Sequence, residues 1–459
     1  MSLDIRVSKP SIGEVMDNLT LGRAHFWAIL ATIFGFFFDA FDTTILSLAL
    51  PSIVAEWHLD GATAGVIGSA IFWGMIVGAL GLGFLSDLLG RRMVMVITVI
   101  GMALFTCLGG LAQDVPTFIA LRVLVGIFAG AMIPVDLAYL AEIAPAKRRG
   151  FLMGMIGVSW PLGALLATIV GGAVLPVGGW RTLFFLAIIP AVLALAVRWL
   201  VPESPRWLAK RGRFAEAIAS ANRLGASLTS ADDLDTEADS VEEAAERSIW
   251  ANLRELFQRR YTIRTIGACL IYLLTIGPSY GWTVFVPTII MSVFGYPLQK
   301  TILAVVLLNA ASILGRLTIA LTADRIPRVA AMLGSMALYF ATALTMAFVI
   351  GLGAGFAGLI LTLMAVYQYS ADTANLFQQW IPELFPSEIR AFSASFASAW
   401  GRLAAGIVPI VFGALLGGGN TQAVFYLIAG FAVAIALTVI IFLRKSETSG
   451  RTLSATKSA

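Results

Sequence analysis

The chain has 459 residues, of which 59% are apolar and only 13% charged, and its mean hydropathy is +0.88. A soluble globular protein is nearer half apolar and a quarter charged, so a water-soluble enzyme, a disordered chain and a disulfide-built fold are excluded. The net charge of +4 and pI near 9.1 invite a nucleic-acid reading, which the placement of the basic residues along the chain removes.

A bilayer core about 30 Å thick needs about 20 apolar helical residues. Along the chain that length is met at 26–50, 63–85, 93–113, 116–141, 150–174, 180–201, 264–294, 300–323, 329–350, 355–379, 391–416 and 421–443. The expected fold is an all-α membrane protein of twelve transmembrane helices in two halves of six. Its parts are a tail over 1–25, a first half over 26–201, a linker over 202–263 with short helices near 213–224 and 240–258, a second half over 264–443, and a tail over 444–459. The first residues carry Asp4, Glu14 and Asp17 and no apolar run, so no cleaved signal peptide is expected and the first span inserts the chain. Of the 31 lysines and arginines, 25 fall on the tails and connections of one side, against Arg181 and Lys300 on the other. That bias predicts a multi-pass protein of the inner membrane with both termini in the cytoplasm, and no nucleic-acid partner. Cys107 and Cys269 lie inside apolar stretches without metal spacing, and His25 and His58 lie at the ends of spans, so no cofactor or metal is expected.

Two halves of six spans suggest an internal duplication. Gly83-Phe84-Leu85-Ser86-Asp87-Leu88-Leu89-Gly90-Arg91-Arg92 follows the second span, and Gly315-Arg316 with Asp324-Arg325-Ile326-Pro327-Arg328 follows the eighth. Arg122-x-x-x-Gly126-x-x-x-Gly130 lies in the fourth span. Glu142-x-x-Pro145-x-x-Arg148-Arg149-Gly150, Pro202-Glu203-Ser204-Pro205-Arg206-Trp207 and Pro382-Glu383-Leu384-Phe385-Pro386-x-x-x-Arg390 close further spans. With these motifs the chain resembles the major facilitator superfamily over its full length, in the branch of sugar porters, organic ion transporters and aromatic-acid/proton symporters. The resemblance implies that the two halves are two six-helix bundles packed around a central cavity, with alternating access by rocking of one against the other. It also implies gating pairs among Asp87, Arg91, Glu142, Arg149, Asp324, Arg325, Glu383 and Arg390.

Charge at membrane depth costs about 2.5–3.5 kcal/mol or more, so each such residue needs a reason. Asp39 and Asp42, three apart on one helix face, and Arg122 read as a proton-coupling cluster, with Asp136 as a gate or second proton site. Asp39-Ala40-Phe41-Asp42 is similar to the Asp-x-x-Asp of aromatic-acid/proton symporters. Arg402 is expected to hold a substrate carboxylate through its planar fork, or else to pair with Asp372. Trp160, Tyr280, Trp282, Tyr367, Asn375 and Gln378 are further candidates to line the cavity with Asp372, the aromatic ones by stacking on an aromatic cargo.

No phosphate-binding loop and no catalytic triad is present in the sequence. The expected function is proton-coupled import of a small organic acid anion, an aromatic carboxylate above all, by a monomer in the lipid bilayer. The alternatives are a sugar or polyol symporter, a drug/proton antiporter, and a receptor on a transporter scaffold.

Overall fold

A helix that is apolar on all sides turns one face to protein and the other to lipid. The stretch Leu298–Thr322 does this: Leu303, Leu307, Leu314 and Leu321 stand exposed along one side, while Val305, Leu308, Ser312, Gly315 and Ile319 face inward. The computed structural model describes residues 9–189, 192, 200–235, 249–322, 325–352 and 357–444. Among them, ten helices are long and apolar enough to cross a membrane.

A short helix, α1 (Ile12–Asn18), precedes the first half, which comprises α2 (Arg23–Trp57), α3 (Gly61–Leu89), α4 (Arg91–Gly109), α5 (Val115–Ile143) and α6 (Ala146–Phe185). Gly179, at φ 69°, breaks α6 into the fifth span and the start of the sixth, a backbone state that suits glycine alone at low cost. Most of the remaining sixth span lies outside the described residues, Arg198 included.

The linker contributes α7 (Pro205–Lys210), α8 (Phe214–Arg223) and α9 (Ile249–Leu256), and residues 236–248 lie outside the described ones. The second half comprises α10 (Thr262–Phe294), α11 (Leu298–Thr322), α12 (Arg328–Gly351), α13 (Ala357–Ala374), α14 (Phe377–Glu383), α15 (Ser387–Gly417) and α16 (Thr421–Thr438). The tenth span therefore has a break after Ala374, where the chain turns through Asn375 and restarts as α14.

Helices of one half pack closely because small residues let backbones approach without hydrophobic help from water. A Cβ at Gly126 of α5 would meet the Ile71 carbonyl of α3, and one at Gly78 of α3 would meet the Ile127 carbonyl of α5. The arginine-glycine-glycine run of the fourth span is thus a packing face as well as a charge site. The halves meet along α2 with α10, α3 with α15, and α6 with α11. At one end of these seams Gly61 and Gly65 lie against Pro409, Gly413 and Gly417.

The opposite end carries the linker helices and most of the arginines, and is the basic face below. There α1 docks Ile12 and Met16 into a satellite apolar cluster with Val201, Trp207, Leu208, Ala217 and Ala221. Ser11 and Glu14 cap α1 reciprocally. Asp17 bridges Arg149 at 2.5 Å and Arg206 at 2.6 Å. The expected tail thus contains a seated helix.

Candidate functional site

Inside the first half, the buried charges answer one another. Arg122 of α5 grips Asp42 of α2 with both ends of its fork, Nη2 to Oδ2 at 2.8 Å and Nη1 to Oδ1 at 3.2 Å. The Thr106 hydroxyl of α4 donates to the same carboxylate, and both charged side chains are at most 1% exposed. Such a pair is tolerable in low dielectric because each charge has fixed partners.

Asp39 lies one turn nearer the basic face. It is buried, and its Oδ1 has no hydrogen-bond partner among the described residues. Trp160 stands beside it, and Asp42, Arg402 and Arg122 lie within electrostatic reach. Asp39, Asp42 and Arg122 are thus brought together. Asp136 is set one further turn along, with its carboxyl against Gly35 in a small apolar pocket lined by Phe34, Met95 and Val99, and its Oδ2 is also unpartnered.

In the second half the pairing differs from one alternative of the sequence reading. Asp372 pairs with Arg316, Nε to Oδ1 at 2.9 Å, and not with Arg402. The α11 and α13 helices pack directly, which puts Arg316 across from Asp372, whereas Arg402 on α15 faces α10. Asp372 also accepts from Gln368 at 2.7 Å and from Asn375 at 3.2 Å. Asp372 and Asn375 therefore belong to one hydrogen-bonded group around Arg316. Arg402 forms no ion pair among the described residues, and Tyr280, Asp39 and Tyr272 lie within its electrostatic reach.

Between the halves is a cavity lined by Thr44, Ser47, Trp160, Trp282, Asn309 and Gln368. Trp282 donates to Gln368 at 2.9 Å, so its ring is fixed as a wall. Tyr280 meets Phe72 with tilted rings, centroids 4.4 Å apart, and Trp160 edge-on at 6.4 Å, and so bridges the two halves. Of the expected lining residues, Trp160 and Trp282 line this cavity, while Arg402, Tyr280, Asp372, Asn375, Tyr367 and Gln378 are not among its lining. Tyr367 is fully buried, bonded to the Tyr339 hydroxyl at 2.8 Å behind Trp282, because its position on α13 points at α12. Gln378 is exposed in the first turn of α14 and donates to Asn375 at 3.2 Å. The sequence reading missed Thr44, Ser47, Asn309 and Gln368. Their polarity inside apolar spans was the available signal, and nothing in the sequence distinguishes them from the many hydroxyls bonded to their own helix.

At the basic face, Arg91 pairs with Asp87 and, at 3.2 Å, with Glu142. Arg149 pairs with Asp17 of α1. Glu383 pairs with Arg328 at 3.0 Å. Arg390 departs from the expected gate pair: it donates to the backbone carbonyls of Pro382 and Phe385, closing the corner after α14. Arg325 takes part in the turn after α11 through its backbone, and Asp324 lies outside the described residues. Each of these pairs joins residues of one half. Gly90, at φ 96°, is required between α3 and α4, where a Cβ would strike Glu203. Glu203 accepts from the backbone N–H groups of Arg92 at 3.1 Å and Ser204 at 2.9 Å. It is largely buried there, and burial pushes its carboxyl above the usual range against those bonds.

Comparison with known proteins agrees with this architecture. Residues 25–459 match the family model for sugar (and other) transporters. The inner membrane metabolite transport protein YgcS of Escherichia coli is 30% identical over 85% of each chain. The niacin transporter NiaP of Acinetobacter baylyi is 27% identical over 95% of this chain and 98% of its own. Transporters of benzoate, gallate and gentisate are also among the relatives. The inward-open structure of the xylose transporter XylE from E. coli superposes with a TM-score of 0.74 at 21% identity, covering 94% of this chain and 99% of that one. The fold is therefore that of twelve spans in two six-helix bundles, and the chain belongs to the sugar (and other) transporter family of the major facilitator superfamily, as a transporter and not an enzyme.

Proposed function

We propose that the protein is a proton-coupled symporter that imports a small organic acid anion, an aromatic carboxylate in particular, by alternating access. The observation that carries this reading is Arg402, a guanidinium with no ion-pair partner among the described residues, close to the equally unpaired Asp39. An unpaired cation at membrane depth is a site for an anion. Tyr280 lies within electrostatic reach of Arg402, Trp160 stands beside Asp39, and Trp282 lines the cavity, so ring faces are available near the two unpaired charges.

Protons are the second cargo. The Asp39 Oδ1 has no hydrogen-bond partner among the described residues, and Asp39 and Asp42, one turn apart on α2, share the field of Arg122, so the two carboxylates are read together as the proton site. An anion arriving at Arg402 alters the field at Asp39, so proton and cargo are bound interdependently. The basic-face charge bias supports both termini in the cytoplasm, and the relatives support a bacterial inner membrane. A monomer suffices, since the cavity is built within one chain.

The polar lining of Thr44, Ser47, Asn309 and Gln368 favours a sugar or polyol as the second reading. Uptake of labelled benzoate, nicotinate and xylose into proteoliposomes, with and without an inward proton gradient, separates the two. Gradient-driven uptake of the acids alone is expected. Xylose uptake without acid uptake would move the protein to the second reading, and acid uptake indifferent to the gradient would remove proton coupling.

A further inference from the structure

A helical carbonyl accepts from the N–H four residues later, and proline has no N–H, so each internal proline leaves the carbonyl four residues before it without a helical partner. Pro161 in α6 releases the carbonyl of Gly157, and Pro287 in α10 releases that of Thr283. Each of these carbonyls is bonded by a side chain from the other half. Arg316 of α11 donates through Nη1 to Gly157 O at 2.9 Å. Ser47 of α2 donates to Thr283 O at 2.5 Å and to Val284 O at 3.0 Å.

The two contacts lie at different depths along the cavity. Helices α2 and α10 run away from the basic face, and Ser47 and Thr283 lie in the half of the lining nearer the far end, one turn inside Val286 and Pro287. Helix α11 runs toward the basic face, and Arg316 lies two turns beyond the lining residue Asn309. Arg316 is also wired to the cavity wall, because Trp282 holds Gln368, Gln368 holds Asp372, and Asp372 holds the guanidinium.

We propose that Ser47 and Arg316 are the two gate latches of alternating access, each closing one end of the cavity by bonding a proline-released carbonyl of the opposite half. A bond across the interface that ends on an orphan carbonyl is strong when made and leaves an unsatisfied group when broken, so each latch favours closure of its own end. The inference needs only that the chain is a transporter, and does not depend on the identity of its cargo.

The test places a single reporter cysteine in the cavity between the two contacts, Thr44→Cys with Cys107→Ser and Cys269→Ser, in proteoliposomes of the full chain. A membrane-impermeant maleimide is added from one face or the other. Arg316→Ala is expected to raise labelling from the basic face several-fold without raising it from the far face, and Ser47→Ala to do the reverse. Pro161→Ala, which gives Gly157 back its helical partner, should reproduce Arg316→Ala, and Pro287→Ala should reproduce Ser47→Ala. Arg316→Ala combined with Pro161→Ala should exceed neither single change, since both remove one contact. Unchanged labelling, the same face affected by both latches, or multiplying effects of Arg316→Ala and Pro161→Ala would overturn the proposal.

Discussion

Arg316 pairs with Asp372 at 2.9 Å, and that pairing leaves Arg402 without an ion-pair partner among the described residues. Two arginines of the second half thus differ: Arg316 is ion-paired within its half and bonded across the interface, whereas Arg402 forms no ion pair among the described residues.

The first prediction concerns Arg402. A charge-assisted hydrogen bond to a buried anion is worth about 1.5–3 kcal/mol, or about 10- to 150-fold in affinity. Arg402→Ala should weaken binding of an aromatic carboxylate by that order in calorimetry, and Arg402→Lys should recover part of it. Binding unchanged in Arg402→Ala would assign the guanidinium to packing.

A second prediction concerns the pair in the first half. Removing one member of a buried ion pair costs about 3–5 kcal/mol because the other charge is stranded. Arg122→Ala should lower the thermal midpoint of the purified protein sharply, and Arg122→Gln with Asp42→Asn should restore much of it. A double variant no more stable than Arg122→Ala would contradict the stranded-charge account.

Glycine at close contacts gives a third. Gly126→Val puts side-chain atoms where the Ile71 carbonyl stands, and should abolish a monodisperse product in gel filtration. Gly334→Ala, with nothing near its added Cβ, should be neutral or slightly stabilising.

The fourth is a pH dependence. Burial holds the Glu203 carboxyl above its ordinary range, so the folded protein keeps that proton more tightly than the unfolded chain does. Stability from this group therefore declines as pH rises from the ordinary glutamate value toward the raised one. Thermal melts between about pH 4 and about pH 8 should show wild type losing stability relative to Glu203→Gln across that window. Parallel curves would remove the effect.

How much the sequence discloses follows from the kind of force involved. Span length and charge bias are properties of the chain alone, so the twelve segments are legible. Asp42 and Arg122 are legible too, because burying a charge in lipid demands a partner and few were on offer. The partner of Asp372 was not, since Arg316 and Arg402 are both within a plausible depth and only the packing of α11 on α13 decides. Tyr367 depends on helix rotation, and composition carries no such information in spans apolar on every side. The helix Ile12–Asn18 had a readable signal, the Ser11 to Glu14 capping spacing, hidden by the shortness of the element. The released carbonyls of Gly157 and Thr283 follow from Pro161 and Pro287, whereas the side chains that reach them come from distant sequence.

The most direct test of proton coupling is accumulation of a labelled aromatic acid in proteoliposomes carrying Asp39→Asn or Asp42→Asn. With an imposed proton gradient both variants should fail to concentrate the acid, while still exchanging it across the membrane at equal concentrations. Gradient-driven accumulation that persists in both variants would contradict the assignment of protons to these two carboxylates.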